Sequence, residues 1–365
     1  MTIRQLQASF EAWRSERIPL VLASVCETHG STYSKAGARM LIAGDGRFQG
    51  MLSGGCLEGD LAERAQAVLE TGTPQSVTYD LGSSDEELWG LGVGCDGRMR
   101  IFLQPLLPES EYQPFAAMVE IFGSDLTGAA VTVLSSSTAS LVPGATAIVH
   151  GPDFRTFRIP PSQGLRIRGI ADAAASAGRS CTTTLEIDGG SAELLVALIA
   201  PPPRILILGA GLDAGPVLRL MLELGWRVTV QDHRPAHIAT GHFEAAERVL
   251  CEPADALSRS LDLDRFDAVI VMSHHLATDR SYLRQLAASR TPYIGLLGPP
   301  HRKRRLIADL RDDLGAAGES LESRVYGPAG LDIGGDGPAS IALSIVAQIQ
   351  AQLSPATPGR TSATD

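Results

Sequence analysis

Three short stretches of this sequence carry residue types whose spacing could do chemistry. The first is Gly209-Ala210-Gly211-Leu212-Asp213-Ala214, a Gly-x-Gly-x-x-Ala turn that follows an apolar strand and opens a helix. Glycines there let the chain turn sharply and bring backbone N–H groups and a helix N-terminus up to a phosphate. About twenty residues on, Val228-Thr229-Val230-Gln231 ends in Asp232, where a Rossmann domain sets a carboxylate against a ribose hydroxyl. The pattern is fairly specific for the fold and less so for the ligand, since NAD, NADP, an adenosyl group and other phosphorylated molecules all use such a turn.

The second stretch is a pair of loops, Ser273-His274-His275 and Gly298-Pro299-Pro300, each after an apolar strand. Both are expected at the carboxyl edge of the sheet that carries Gly209, lining one crevice. His274 and His275 have the chemistry to contact a bound ring or donate to an oxyanion; a solvated loop pair is the plainer reading. The run from His301 to Arg305 reads first as a solvated helix face or a partner-binding patch, and second as a source of cations for a phosphate.

The third is Ser53-Gly54-Gly55-Cys56-Leu57-Glu58, where a strand gives way to a helix. Unpaired N–H groups and the positive helix end are expected beside Cys56, an environment that favours thiolate, the form that binds a soft metal or accepts sulfur. Cys95 stands in a similar turn, Gly90-Leu91-Gly92-Val93-Gly94-Cys95-Asp96-Gly97. Small buried cysteines are common, so packing is the competing reading for both. Cys26, Cys181 and Cys251 sit in or near apolar runs and are read as packing residues. No two cysteines are two to four residues apart, which argues against a structural zinc site. Neither a Gly-x-Ser-x-Gly elbow nor a Walker loop occurs.

These stretches need elements to position them. Ile3, Leu6, Phe10 and Trp13 repeat at helical spacing, and Pro19–Cys26 reads as a buried strand. Strands Ala38–Ile42 and Phe48–Leu52 flank the hairpin turn Gly44-Asp45-Gly46. A helix is expected from Leu57 until Thr71-Gly72-Thr73-Pro74 stops it, followed by strands at Ser76–Tyr79 and Arg98–Leu103. Residues 109–200 show short β patterns and polar turns. Pro201-Pro202-Pro203 then breaks the chain, and beyond it apolar strands at Ile205–Leu208, Val228–Val230, Ala268–Met272 and Tyr293–Leu297 alternate with helices. The expected fold class is α/β: a C-terminal Rossmann-like doubly wound parallel sheet over 201–353, an N-terminal α+β domain over 1–108, a β-rich segment over 109–200 and a disordered tail over 354–365.

Composition narrows the function. With 365 residues, 44% apolar and 20% charged, the chain has enough material for two or three cores without disulfides. A net charge of -10 argues against general attraction to nucleic acid or an anionic membrane, so a bound anion needs a local site. The absence of an apolar run long enough to span a bilayer, and five scattered cysteines, give a cytoplasmic expectation.

Gly30-Ser31-Thr32-Tyr33-Ser34-Lys35-Ala36-Gly37-Ala38-Arg39-Met40, the Gly54-Gly55-Cys56 loop and the Cys95 turn together resemble the XdhC/CoxI family. The Rossmann part resembles it too, at Gly209–Ala214, Val230–Pro235, Met272–His275, Tyr293–Pro299 and Gly330-Leu331-Asp332-Ile333-Gly334. Ala36 stands where the family usually has proline and Gln104 where an acid is common, which touches only details of the first loop and strand. The resemblance implies a carrier that binds the molybdenum cofactor (molybdopterin), shields its sulfurated form and delivers it to a xanthine dehydrogenase-type apoenzyme, with a cysteine desulfurase as second partner and a homodimer as the assembly. A pterin dithiolene molybdenum cofactor joins a phosphate to a soft metal. On this reading Gly54, Gly55, Gly209, Gly211, Ala214, Asp232, His274, His275 and Gly298 contact the cofactor, while Cys56 and Cys95 face the molybdenum. The rival is an NAD(P)-dependent oxidoreductase with His274 or His275 as acid or base, which leaves Cys56 and Cys95 unexplained.

Overall fold

The computed structural model describes residues 2–80 and 97–353; Cys95 with its glycine turn, and the tail from Ser354, lie outside the described residues. The chain divides into two compact units, one ending at Pro201 and the other starting at Pro202.

In the first unit, Thr2 opens helix α1 (Ile3–Ser15) with a capping box: its hydroxyl accepts from the Gln5 amide and the Gln5 side chain accepts from the Thr2 amide. An antiparallel sheet follows, in the order β3 (Phe48–Gln49), β2 (Arg39–Ala43), β1 (Leu20–Gly30), β5 (Gly97–Leu106), β4 (Gln75–Asp80). Helix α2 (Glu58–Thr71) packs Leu61, Ala65 and Val68 on one face, against Val21, Met40 and Ile101. The other face meets α1 and helix α3 (Phe115–Phe122), and this core continues into a second antiparallel sheet through Ala130, Ile148 and Ile199. That sheet runs β8 (Asp153–Phe157), β7 (Thr146–His150), β6 (Gly128–Ser136), β10 (Gly190–Ile199), β9 (Cys181–Ile187). Helix α4 (Pro161–Ala177) covers its far side with Ile167, Ala171 and Ala174.

The strand expected over Phe48–Leu52 stops at Gln49. Gly50 has φ +137°, and a Cβ there would stand 2.6 Å from the Met40 Cα, so the chain must leave the sheet at this close crossing.

In the second unit all six strands are parallel, in the order β13 (Arg248–Cys251), β12 (Arg227–Asp232), β11 (Arg204–Leu208), β14 (Ala268–Val271), β15 (Tyr293–Leu296), β16 (Val325–Tyr326). Counted from β11 this is 3-2-1-4-5-6, the doubly wound Rossmann order, with its switch point between β11 and β14. Helices α5 (Ala214–Glu223) and α11 (Pro338–Leu353) cover one face. The short α6 (Pro235–Thr240) follows β12, and α7 (Leu257–Ser260), α8 (Leu276–Ala287), α9 (Pro300–Leu314) and α10 (Ala316–Arg324) pack the other face.

The cysteines read as packing residues divide. Cys26 is buried between the two sheets of the first unit with Phe102, Leu134 and Leu195, and burial pushes its thiol up to about 12. Cys181 is half-buried against the second sheet. Cys251, by contrast, is exposed: among the described residues β13 is an edge strand with no neighbour outside it, so its apolar run does not enter the core.

Candidate functional site

The glycine turn sits at the switch point and is fixed by backbone contact. Gly209 has φ +122°, and a Cβ on it would lie 2.5 Å from the Met272 carbonyl oxygen and 2.7 Å from the Ser273 nitrogen. Only glycine lets the loops after β11 and β14 touch this way. Ala214 is fully buried under the turn and donates its amide to the Gly211 carbonyl at 3.0 Å. Among the described residues the amides of Gly211, Leu212 and Asp213 have no acceptor, which is the provision a phosphate uses at a helix N-terminus.

Asp232 ends β12 as its spacing predicts, but it is fully buried. One oxygen takes the Ala210 amide at 2.7 Å and the Arg234 Nη2 at 2.7 Å; the other takes the Arg234 amide and Nε, both at 2.9 Å. Burial works to raise its pKa, yet the Arg234 and backbone hydrogen bonds prevail and draw it down to about 2. Arg234 thus closes Asp232 off from a ribose, and the carboxylate braces the turn instead.

His274 lies against the turn, its ring 3.7 Å from where a Gly211 Cβ would be. Its Nε2 is 2.8 Å from Asp213 Oδ2, and its backbone is left-handed at φ +60°. His275 caps α8: its Nδ1 pairs with the Thr278 hydroxyl at 2.9 Å and accepts from the Thr278 amide. Gly298 has φ +118°, with Arg302 folded across the space a Cβ would fill. Arg302 Nη2 reaches the buried Asp279 at 2.5 Å, and the other Asp279 oxygen accepts from the Ser273 hydroxyl, also at 2.5 Å. One polar chain, Arg302–Asp279–Ser273, therefore ties the loop after β15 to the loop after β14. Arg234 also donates to the Ser273 carbonyl, at 3.3 Å.

The structure brings Gly209, Gly211, Ala214, Asp232, His274, His275 and Gly298 to one sheet edge. Sequence reasoning missed Asp213, Arg234 and Asp279, which fix that edge, and read Arg302 as part of a solvated or phosphate-facing run where it pairs with Asp279; the signal for Arg234 was a base two residues after a strand-ending acid. Within the basic run, Arg302 is spent on Asp279 and Lys303 donates to the Val325 carbonyl at 2.7 Å, while His301, Arg304 and Arg305 face solvent.

In the first unit, Gly54 and Gly55 take φ +83° and +112°, and the Tyr33 ring lies 3.4 Å from where a Gly54 Cβ would be. Cys56 is half-buried. The N–H groups expected to stand unpaired beside it are largely taken. Glu58, 3% exposed, accepts from the amides of Leu52 (2.8 Å), Ser53 (2.9 Å), Gly55 (3.0 Å) and Leu57 (3.2 Å) and from the Ser53 hydroxyl (2.6 Å). Burial opposes its charge, but these hydrogen bonds outweigh burial and lower its pKa. A carboxylate therefore stands where free donors were expected, and it holds the cysteine loop in shape. Among the described residues, no group of three or more His, Cys, Asp or Glu could hold a metal ion.

Strand order, glycine turn and bracing acid define a two-unit α/β protein whose second unit is of the Rossmann class. A family model described as the XdhC Rossmann domain matches residues 205–349, and one described as the XdhC and CoxI family matches 13–80. A Bacillus subtilis protein named as one of the probable subunits of xanthine dehydrogenase is 31% identical over 329 residues, 90% of this chain and 92% of that one. The molybdenum cofactor insertion chaperone PaoD of Escherichia coli is 22% identical over 90% of this chain and 82% of its own. The crystal structure of a xanthine dehydrogenase from Bacillus halodurans superposes with TM-score 0.78 and 28% identity, covering 98% of each chain. The chain belongs to the XdhC and CoxI family.

Proposed function

We propose that this protein binds the molybdenum cofactor as cargo and delivers it, in protected or sulfurated form, to a xanthine dehydrogenase-type apoenzyme, acting as a carrier rather than a catalyst. The observation that carries the reading is one chain with two glycine loops, one in each unit and each shaped by a buried carboxylate. The turn at Gly211–Asp213 offers free amides to the phosphate; Cys56 offers a soft sulfur to the metal or its terminal sulfido group. Cys95 joins it as a second metal-facing thiol, and His274 and His275 with Gly298 border the pterin. Likeness along most of the chain to a protein named as a cofactor insertion chaperone supports the same role. A cysteine desulfurase would supply the sulfur, a homodimer is the proposed assembly, and the cytoplasm the proposed site of action.

The Rossmann strand order favours a second reading, an NAD(P)-dependent oxidoreductase. One feature weighs against it: Arg234 occupies the carboxylate that would meet a ribose.

Reconstitution tests the proposal. Cofactor-loaded protein added to a cofactor-free hydroxylase should restore activity faster and further than free cofactor; equal recovery overturns it. Equilibrium dialysis against released cofactor and against NADPH separates the readings, since the carrier retains pterin and the dehydrogenase retains NADPH.

A further inference from the structure

A cavity of about 400 Å³ opens in the first unit, where Gly72 and Pro74 carry the chain from α2 into β4. Cys56 stands before the other end of this 14-residue helix, about 20 Å away along its axis, so the cavity is separate from the cysteine loop. Phe157, Pro105 and Pro114 give it flat apolar walls, and no Asp or Glu among the described residues lines it.

Two polar side chains define its chemistry. Gln104, on β5, lines the cavity and is 5% exposed. Its Nε2 donates to the Gly144 carbonyl at 2.8 Å, while its carbonyl oxygen and second N–H make no hydrogen bond among the described residues. Burying a carboxamide half-paired is costly, and a ligand in the cavity would supply the missing partners. Arg158 lines the same cavity. Its Nη2 donates to the Pro143 carbonyl at 2.5 Å, and the rest of its guanidinium makes no hydrogen bond or ion pair among the described residues. The Arg158 backbone is left-handed at φ +59°, a conformation that a bulky residue holds only at a cost. Gly144, at φ +79°, lets the two groups approach: a Cβ there would lie 3.4 Å from Arg158 Nη2 and 3.6 Å from Gln104 Nε2.

The free half of the Gln104 carboxamide sets an acceptor beside a donor, which complements the N–H and C=O edge of a cyclic amide. The guanidinium, with no acid on the wall, suits a negative charge. Flat walls suit a ring, and the volume is that of a small-molecule site. We propose that this cavity binds a flat heterocyclic acid, a ring bearing both a cyclic-amide edge and an anionic substituent. Gln104 reads the amide edge and Arg158 holds the charge. The site is independent of the cofactor-carrier reading.

Calorimetric titrations of the full chain at matched ionic strength, with three probes, test this. Orotate carries the amide edge and a carboxylate, uracil the edge alone, and benzoate a carboxylate on a flat ring without the edge. One saturable site is expected for orotate, with uracil and benzoate each at least tenfold weaker. Arg158→Gly should weaken orotate tenfold or more and leave uracil unchanged, and Arg158→Lys should recover part of the loss. Glycine relieves the left-handed backbone, so the thermal midpoint of Arg158→Gly should be no lower than the parent's, which separates lost binding from lost folding. Gln104→Met should bring orotate down to the level of benzoate. Heat from orotate no greater than that of a chloride control overturns the proposal. So does orotate binding that Arg158→Gly leaves intact, or benzoate or uracil binding as tight as that of orotate in the parent.

Discussion

Single side chains do two different jobs in this molecule, and the acids show it best. Asp232 looks like a ligand-facing carboxylate in the sequence, yet it and Glu58 both spend their oxygens on backbone amides of the neighbouring glycine loop. Replacing Glu58 by Ala strips a buried loop of five hydrogen bonds and should cost about 3 kcal/mol or more, read as a lower urea midpoint. Cys56→Ser should leave that midpoint in place while reducing retention of the cofactor; unchanged retention would remove the thiol from the account. Asp232 gives a pH signature. Its folded pKa of about 2 lies below the value near 4 of an unfolded aspartate. It therefore adds roughly 2 kcal/mol of stability above pH about 4, lost as pH falls through about 2. Asp232→Asn should be less stable at neutral pH and lose less between pH about 4 and 2. An acid limb as steep as that of the parent would contradict the assignment.

At the scale of elements, the glycines divide by what surrounds them. Gly209 has a left-handed φ and a backbone collision for any Cβ, whereas Gly55 has a left-handed φ and open space. Gly55→Ala should cost about 1 kcal/mol; Gly209→Ala should cost about 3 kcal/mol or more, because the loops after β11 and β14 must part. Thermal midpoints of the two variants check the order. The parallel sheet was legible in the sequence because Ile205–Leu208, Ala268–Val271 and Tyr293–Leu296 are unbroken apolar runs bounded by turns. Helix α4 was not: it holds Gly164 and Gly169, and its buried side consists of small residues around Ile167, so no apolar stripe announces it. Helix α3 escaped for the opposite reason, being eight residues almost wholly apolar and so without periodicity. In the site, the glycines and strand-end residues were legible because turn chemistry is local. The contacts Arg234–Asp232, Arg302–Asp279 and Glu58 with its amides were not, because they depend on which loops meet.

At the scale of the whole molecule, cargo and fold should be coupled. A ligand that binds only the folded chain stabilises it by about 2.7 kcal/mol at a hundredfold excess over its Kd. Chains loaded with molybdenum cofactor should unfold at a clearly higher midpoint than empty ones, while NADPH should leave the midpoint where it was. A midpoint raised by NADPH alone would favour the oxidoreductase.

The open position of Cys251 on edge strand β13 bears on how the assembly is studied. An accessible thiol can be joined covalently to its counterpart in another molecule once air or a mild oxidant is present. Material purified without reductant should show a doubled band on a non-reducing gel that vanishes with thiol and in Cys251→Ser. A homodimer that is physiological should keep its mass in that variant under reducing conditions, by light scattering. Only such a species should count as the working oligomer.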